Sequence, residues 1–412
     1  MSLASKSFSV LGRDLFLLFS TLLSSVVIAR TLGAEIMGIW VIINTIPSYA
    51  EMLGRTKVDL SAVYYLGKGK YKIGDITNAL NIIAAISSLL ILILVAIFYD
   101  SIVLNLLKDN ADLYSIYMII ILIVIPFNLF YMNYMYLHIF NEDVESINYM
   151  ILTRALFMSL TSVPGLIFFD FEIPQLVFCF ITAYGLALLV GVSRFKHQHR
   201  DGPILNKNLI KDLFSYAYKM YISGLLLNLN SYIANTFLIL YGSPVQITFY
   251  ALAQQFSLIL LKITDSMNIF IFPSASKKDP NNAKIYIAKA FRTASVLMFP
   301  VGIISAILIS PSVYILYGSS FLPITEPFII LLIGVIFSSI TSTICMYFMS
   351  SGRPEIITRT LIIPVTVQLV IAPYIIPLYG IQGAAIVLST GMILGGFAQI
   401  IAFLRLTGLN FK

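Results

Sequence analysis

The chain has 412 residues, of which 59% are hydrophobic and 11% are charged, and its formal net charge is +7. A typical soluble domain carries about 25% charged residues, so this chain has too little polar surface to cover a soluble protein of its size. The composition excludes a disordered chain, a coiled coil and a disulfide-stabilised scaffold, and it leaves a polytopic membrane protein built from helices.

Twelve apolar segments follow one another along the chain, each long enough to cross a bilayer as a helix. Their predicted limits are 14–31, 39–66, 78–99, 114–139, 147–169, 174–194, 213–241, 246–273, 287–310, 325–350, 358–378 and 382–406. The sequence therefore predicts an all-α fold of about 12 transmembrane helices. We expect them to form two six-helix bundles, residues 1–200 and 201–412.

Basic residues are distributed unevenly between the two predicted sides of the membrane. If both termini are cytoplasmic, 21 of the 26 lysines and arginines lie in cytoplasmic segments, and Arg154 is counted there as the residue that opens the fifth helix. Only Arg30 and Lys108 lie on the opposite side. Because basic loops stay on the cytoplasmic side, both termini are predicted to be cytoplasmic. The other three basic residues lie inside predicted helices: Arg55, Lys57 and Lys262.

The two halves show a weak internal repeat. A shift of 209 residues aligns the turn at Gly33 with the turn at Gly242 and Lys68 with Lys277, and a shift of 205 aligns Arg154 with Arg359. Each half has an even number of helices, so the halves have the same orientation and are related by a pseudo-twofold axis along the membrane normal. Transporters with such repeats hold their substrate between the halves.

The second predicted helix carries an unusual polar stripe. Its members recur every three or four residues and so share one helix face. They are Asn44, Ser48, Glu51, Arg55 and Asp59. The spacing predicts Glu51–Arg55 and Arg55–Asp59 ion pairs. Charged groups at this depth are costly and are typical of a hydrated cavity or a binding site.

Polar residues also fall at equivalent places in helices 1, 7 and 8. They are Ser20 and Ser24 in helix 1, Gly224, Asn228, Ser231 and Asn235 in helix 7, and Thr248, Gln255 and Lys262 with Asp265 and Ser266 in helix 8. The pattern predicts a polar, partly cationic cavity shared by the two halves. Two alternatives stay open: hydrogen bonds that join neighbouring helices, and a purely structural Lys262–Asp265 ion pair.

Two further segments have more than one interpretation. The run 127–136 combines aromatic rings with two asparagines, which suits stacking on sugars, but it is also typical of an aromatic belt at a membrane surface. The loop from Arg194 to Lys211 contains His197 and His199. It could hold a metal or lipid headgroups, or it could simply orient the chain in the membrane.

Motifs for catalysis are absent from the sequence. It contains no Gly-x4-Gly-Lys-Ser/Thr phosphate loop, no His-Glu-x-x-His, and no plausible nucleophile–base set. We therefore expect no enzyme activity, no cofactor, no metal site and no nucleic-acid partner.

Several turns resemble those of one transporter family. The segment 29–38, Ala-Arg-Thr-Leu-Gly-Ala-Glu-Ile-Met-Gly, resembles the turn after helix 1 of polysaccharide-transport flippases, and 242–276 resembles the start of their second half. Residues 317–321, 352–354 and 376–385 are similar to their later turns. The family is the O-antigen flippase or polysaccharide transport family, within the multidrug/oligosaccharidyl-lipid/polysaccharide exporter superfamily.

This resemblance implies two bundles in a V, alternating access, and a location in the bacterial inner membrane. It implies an undecaprenyl-pyrophosphate-linked oligosaccharide as cargo, moved from the cytoplasmic to the periplasmic leaflet. The cargo and membrane lipids are then the expected partners, together with polymerase and chain-length proteins of the same glycan pathway.

Candidate roles follow for the polar residues. Arg55, Lys262 and Arg30 would receive the pyrophosphate, although Arg30 could equally anchor a helix end. Glu51, Asp59 and Asp265 would balance charge or couple an ion. The other candidates for substrate binding are Asn228, Ser231, Gln255 and Ser24. One alternative function is a drug/cation antiporter of the same superfamily, which would need an acidic cavity. Another is an integral-membrane glycan polymerase or ligase, which would need a large periplasmic loop.

Overall fold

A computed structural model describes residues 3–195 and 207–408, and within those ranges every regular element is a helix. The described residues up to Ile222 form one compact unit, and those from Ser223 onward form a second. The predicted boundary at 200/201 falls in the stretch between the two described ranges. The helix α9 runs through the junction between the units.

Among the described residues, the N-terminal unit contains eight α-helices and the first part of a ninth. They are α1 (Leu3–Gly54), α2 (Val58–Gly67), α3 (Ile73–Ile97), α4 (Tyr99–Leu107), α5 (Ala111–Ile120), α6 (Val124–Phe140), α7 (Val144–Phe168), α8 (Ile173–Arg194) and the start of α9 (Lys207–Tyr241). One buried cluster joins α2, α3 and the start of α9, with Leu80, Leu209 and Leu213 at its centre.

The C-terminal unit contains the rest of α9 and five further helices. They are α10 (Pro244–Ile259), α11 (Leu261–Ser276), α12 (Pro280–Tyr317), α13 (Thr325–Ser350) and α14 (Glu355–Thr407). A core of Ile271, Ile287, Phe348 and Phe403 packs α11, α12, α13 and α14 together.

Ten helical segments within the described residues are long and apolar enough to cross a membrane. Two of them contain a break at a glycine: Gly33 in α1 has φ 80° and ψ 173°, and Gly380 in α14 has φ 55° and ψ −124°. Each break separates two of the predicted spans. The helical content and the apolar segments agree with the prediction of an all-α protein with about 12 membrane helices.

The short turns between helices carry local start signals. Asp143 accepts the backbone N–H of Ser146 at the start of α7, and Asp279 accepts that of Asn282 at the start of α12. At the start of α10, Ser243 and Gln246 form a reciprocal capping box on either side of Pro244. Each cap satisfies backbone N–H groups that the first helical turn leaves without partners. The caps therefore fix where the membrane-crossing helices begin.

One predicted helix is not continuous. The segment predicted as 39–66 ends its first helix at Gly54, and α2 begins only at Val58. Lys57 between them adopts a left-handed conformation with φ 61°. Gly54 is buried, and a Cβ there would meet Ile91 Cδ1 at 2.2 Å, so the chain turns where it packs closely on α3. This break positions the charged residues described next.

Candidate functional site

Three charged side chains meet where α1 ends and α2 begins. The Nε of Arg55 donates a hydrogen bond to Oδ2 of Asp59 at 2.9 Å, and its Nη1 lies 3.7 Å from Oε1 of Glu51. The Asp59 side chain is almost completely buried, and that of Arg55 is 18% exposed. Both ion pairs expected from the spacing are therefore present, although the chain between Gly54 and Val58 is not helical.

Helix α6 adds an amide and an aromatic ring to these charges. The Nδ2 of Asn128 donates to Oε2 of Glu51 at 2.7 Å. The guanidinium of Arg55 lies 5.2 Å from the ring centre of Tyr136, within the range of a cation–π interaction. Asn128 and Tyr131 are buried. For these two residues the aromatic-belt interpretation is wrong, because they lie inside the N-terminal unit rather than at a membrane surface.

A second arginine, Arg154 of α7, lies close to this group. Its Nη1 donates to the hydroxyl of Tyr184 in α8 at 3.3 Å. Its guanidinium lies 5.0 Å from the ring centre of Tyr184 and 5.5 Å from that of Tyr131. Glu51 also interacts with it electrostatically. We call the whole set the arginine–tyrosine cluster: Glu51, Arg55, Asp59, Asn128, Tyr131, Tyr136, Arg154 and Tyr184.

Arg154 does not lie with the cytoplasmic basic residues, where the distribution of charge predicts it. It lies about three turns after the start of α7 at Val144. The sequence did contain a signal, because Arg154 falls within the predicted apolar segment 147–169. A charged residue well inside such a segment indicates a functional group. Its partner Tyr184 carries no comparable signal.

The formal charges of the arginine–tyrosine cluster cancel, but they are not evenly paired. Arg55 contacts both carboxylates. Within the described parts of the chain, no carboxylate oxygen lies within 4.0 Å of Arg154. Its guanidinium therefore keeps N–H donors for another acceptor. A planar guanidinium fits the oxygens of a phosphate or carboxylate in a bidentate arrangement.

In the C-terminal unit, Lys262 forms an ion pair with Asp265. Its Nζ lies 3.6 Å from Oδ2 of Asp265, and the two side chains are 60% and 56% exposed. This is the structural pair that the sequence analysis kept as an alternative. Exposed pairs of this kind contribute little to stability, so both side chains can change partners at low cost. Gln255 is partly buried in α10.

The polar residues of α9 divide between two faces. Ser231 is exposed, and Asn228 is partly buried. The buried polar contact comes instead from Asn230, whose Oδ1 accepts Nε2 of Gln368 in α14 at 3.1 Å. This amide pair packs against Gly391, where a Cβ would overlap the Gln368 side chain. The pair joins α9 to α14, although Asn230 is not one of the residues of the predicted stripe.

The candidate residues in the first part of α1 include two serines, which contact α7 through their hydroxyl groups. Ser20 and Ser24 both lie within reach of the Ser159 hydroxyl in α7, the latter at 3.4 Å. These contacts join α1 to α7, the helix that carries Arg154. Arg30 is exposed and lies three residues before the break in α1 at Gly33. His197 and His199 lie outside the described residues.

The fold has close counterparts among solved membrane transporters. The lipid II flippase MurJ, in an inward closed conformation, matches 96% of this chain and 89% of its own, with TM-score 0.80 and 16% identity. An inward-facing multidrug resistance MATE family transporter of the MOP superfamily matches 94% of each chain, with TM-score 0.76 and 12% identity. The Vibrio cholerae MATE transporter VcmN in the bent form covers 98% of each chain, with TM-score 0.63 and 15% identity.

These likenesses define the class: the chain is a multi-pass membrane protein with the fold of MOP-superfamily transporters. Residues 71–326 match the family described as polysaccharide biosynthesis protein, and the chain belongs to that family. No curated protein sequence is a significant match. The family resemblance carried by the turn motifs is thus confirmed.

Proposed function

We propose that this protein is a flippase for an undecaprenyl-pyrophosphate-linked oligosaccharide, an O-antigen or related polysaccharide repeat unit. It moves the cargo by alternating access from the cytoplasmic to the periplasmic leaflet of the bacterial inner membrane, with both termini in the cytoplasm. The family and the fold support a membrane transporter in glycan synthesis. Polymerase and chain-length proteins that act on the same lipid-linked product are the partners that this function implies.

The observation that carries the proposal is Arg154. A charged side chain at the centre of a membrane helix costs about 2.5–3.5 kcal/mol on insertion scales, and such residues are functional by default. Arg154 lies between two tyrosines with no carboxylate within 4.0 Å among the described residues. It is thus prepared for an anionic group such as pyrophosphate, and the tyrosine rings beside it suit sugar rings.

Other residues complete the proposed path. Arg55, Lys262 and Arg30 are the further cationic groups for the pyrophosphate. Glu51, Asp59 and Asp265 balance their charge or couple transport to an ion. Moving one charge through the membrane field is worth about 2.3 kcal/mol per 100 mV, so the membrane potential is an adequate energy source. The polar groups proposed for the glycan are Ser24, Asn228, Ser231 and Gln255.

The test uses proteoliposomes that contain a fluorescent undecaprenyl-pyrophosphate oligosaccharide and an external quencher. Wild-type protein should speed the exchange of the label between leaflets. The Arg154→Gln variant should slow exchange by about tenfold or more, because a hydrogen bond to a charged group is worth about 1.5–3 kcal/mol. The Arg359→Gln variant is the matched control, since Arg359 aligns with Arg154 in the repeat but is exposed in α14.

Each result has a definite meaning for the proposal. The absence of exchange with any lipid-linked glycan would contradict it and favour the drug/cation antiporter, for which the carboxylates of Glu51 and Asp59 would be the cation-binding groups. Exchange that is equally fast in wild type and in Arg154→Gln would support the flippase function but show that Arg154 has no role in transport. Variants Arg55→Gln and Lys262→Gln test the remaining cations in the same assay.

A further inference from the structure

A polar cavity lies in the C-terminal unit, and none of the candidate site residues described above lines it. It is a cleft of about 730 Å³, within the range of about 300–1,000 Å³ that is typical of ligand pockets. Helix ends and turns form it: the end of α9 at Tyr241, the start of α10 at Gln246, the start of α13 at Glu326, and the break in α14 at Gly380. Because helices end there, the cleft lies at a membrane surface.

Two side chains in the cleft are held in fixed orientations. Oε2 of Glu326 accepts a hydrogen bond from Nε2 of Gln382 at 3.0 Å. Oε1 of Gln246 accepts the backbone N–H of Ser243 at 3.1 Å. Each bond uses one end of a planar group and leaves the other, an Oε1 acceptor on Glu326 and an NH₂ donor on Gln246. The cleft therefore offers preset donors and acceptors.

The backbone of α14 is shaped to fit this cleft. Gly380 has φ 55° and ψ −124°, a conformation that other residues rarely adopt. A Cβ at this position would lie 3.1 Å from Nε2 of Gln246, so a glycine permits the close approach. The turn also presents Tyr379, and Tyr241 lies at the end of α9. Both rings are largely exposed.

The charge of the lining selects among possible ligands. Glu326 is the only ionisable acid or base other than tyrosine among the lining residues of this cleft, so the lining carries no cation to hold a phosphate. A carboxylate and amides exchange hydrogen bonds with neighbouring hydroxyl groups, and aromatic rings pack on the C–H faces of sugar rings. The chemistry fits a neutral saccharide better than an anionic one.

We propose that this cleft binds the neutral saccharide part of the cargo on the side of the membrane opposite the basic loops. The proposal rests on the proposed function, since the flippase supplies the glycan. This cleft then adds a binding place for the saccharide to the polar groups proposed above for the glycan, and it contains none of the cationic residues proposed for the pyrophosphate. A saccharide held here would favour release of the cargo on that side.

The test measures how fast a cysteine placed in the cleft reacts with a maleimide in the presence and absence of a saccharide. Leu378 lines the cleft and is 77% exposed, so Leu378→Cys in the full-length protein in nanodiscs should react with a water-soluble maleimide. Maltotriose, a neutral probe, should slow this reaction by about threefold at about twice its dissociation constant, as mass action requires. Trigalacturonate, an anionic probe of similar size, should not. The parent chain, which retains Cys179 and Cys345, gives the background.

A double variant decides whether the slowing reflects the proposed contacts. Glu326→Ala with Gln382→Ala, in the Leu378→Cys background, should react at the unprotected rate with and without maltotriose. Equal rates with the two trisaccharides, or protection that persists in the double variant, would overturn the proposal.

The lipid-exchange assay separates this proposal from the function on which it rests. Lipid exchange without maltotriose protection refutes the cleft alone. Protection without lipid exchange supports a saccharide site and refutes the flippase function. The Glu326→Ala/Gln382→Ala variant should also exchange the lipid-linked glycan more slowly than wild type but leave exchange of undecaprenyl pyrophosphate without sugar unchanged.

Discussion

At the scale of single residues, Asp59 stabilises the junction between α1 and α2. It is the most buried charged group of the arginine–tyrosine cluster. Its Oδ2 accepts the Nε of Arg55, and its Oδ1 accepts the backbone N–H of Leu60 at 2.8 Å. Removing one partner of a buried pair leaves the other charge uncompensated, which costs more than the pair itself contributes.

We therefore expect Asp59→Asn to lower the free energy of unfolding by up to about 3–5 kcal/mol. The remaining contact of Arg55 with Glu51 at 3.7 Å should reduce that loss. Unfolding in mixed detergent micelles measures it. Asp265→Asn is the matched control, because the exposed Lys262–Asp265 pair should change stability by less than about 1 kcal/mol. Equal losses in the two variants would show that burial of the Arg55–Asp59 pair does not increase its contribution to the free energy of unfolding.

The residue scale also shows what the sequence could predict of the site. The spacing of Glu51, Arg55 and Asp59 identified two real ion pairs, because contacts between residues four apart depend only on local geometry. Arg154 was misplaced because it was counted with the cytoplasmic residues although it lies seven residues inside the predicted apolar segment 147–169, whose limits agree with α7. Its contacts with Tyr131 and Tyr184 depend on how α6, α7 and α8 pack, which no local pattern encodes.

At the scale of elements, the break in α14 depends on Gly380. Alanine at φ 55° and ψ −124° is strained, at a cost of about 1–3 kcal/mol, and its Cβ would also press on Gln246. Gly380→Ala should lower thermal stability accordingly. Gly12→Ala is the control: Gly12 is helical, a Cβ there meets nothing within 4 Å, and alanine favours the helix. If Gly380→Ala were as stable as Gly12→Ala, the prediction that alanine is strained at position 380 would be wrong.

The start of α9 is attached to the rest of the N-terminal unit by a pH-sensitive contact. The Lys70 ammonium and the Tyr71 hydroxyl both donate to Oδ2 of Asp212 at 2.5 Å, and the Tyr216 ring stacks on Tyr64. These two hydrogen bonds lower the pKa of the Asp212 carboxyl below its usual value. A carboxyl with a lowered folded pKa stabilises the fold above its unfolded pKa, and the contribution is lost as pH falls through the folded pKa.

Hydrogen exchange of the backbone amides at the start of α9 should show this dependence. After correction for the intrinsic effect of pH on exchange, protection in wild type should be greatest near neutral pH and should fall as the solution is acidified below the ordinary range for Asp. Asp212→Asn should be less protected near neutral pH and equal to wild type in acid. A constant difference between the two proteins at every pH would exclude titration of Asp212 as the cause.

Helix α9 also illustrates how far periodicity can identify a functional face. The spacing of Asn228, Ser231 and Asn235 defined one face, but Asn230 on another face makes the buried contact with Gln368. Periodicity finds residues that share a face, whereas the rotation of a helix is set by its neighbours. Here Asn230 faces Gly391 of α14, where a Cβ would overlap the amide pair.

At the scale of the whole molecule, each unit has a different polar interior. The N-terminal unit buries an arginine–tyrosine cluster with two arginines and two carboxylates. The C-terminal unit buries the neutral Asn230–Gln368 pair and keeps its Lys262–Asp265 pair exposed. The internal repeat predicted similar polar stripes in both halves, and a cavity shared by them stays a prediction. Their burial was not predictable, because it depends on side-chain packing within each unit.

The orientation of the whole chain can be tested at the two ends of one helix. Helix α13, Thr325–Ser350, has 26 residues and is about 39 Å long, enough to cross a hydrocarbon core of about 30 Å. Ser319 precedes it and Ser351 follows it, and both are exposed. Since Arg353 and Arg359 lie beyond Ser351, we expect that end to be cytoplasmic. In intact cells, an impermeant maleimide should therefore modify Ser319→Cys and leave Ser351→Cys unmodified until the membrane is permeabilised. Labelling of Ser351→Cys alone would show that the orientation is the opposite of the predicted one. The direction of transport and the side of the membrane assigned to the saccharide cleft would then be reversed as well. Labelling of both would mean that α13 does not cross the membrane.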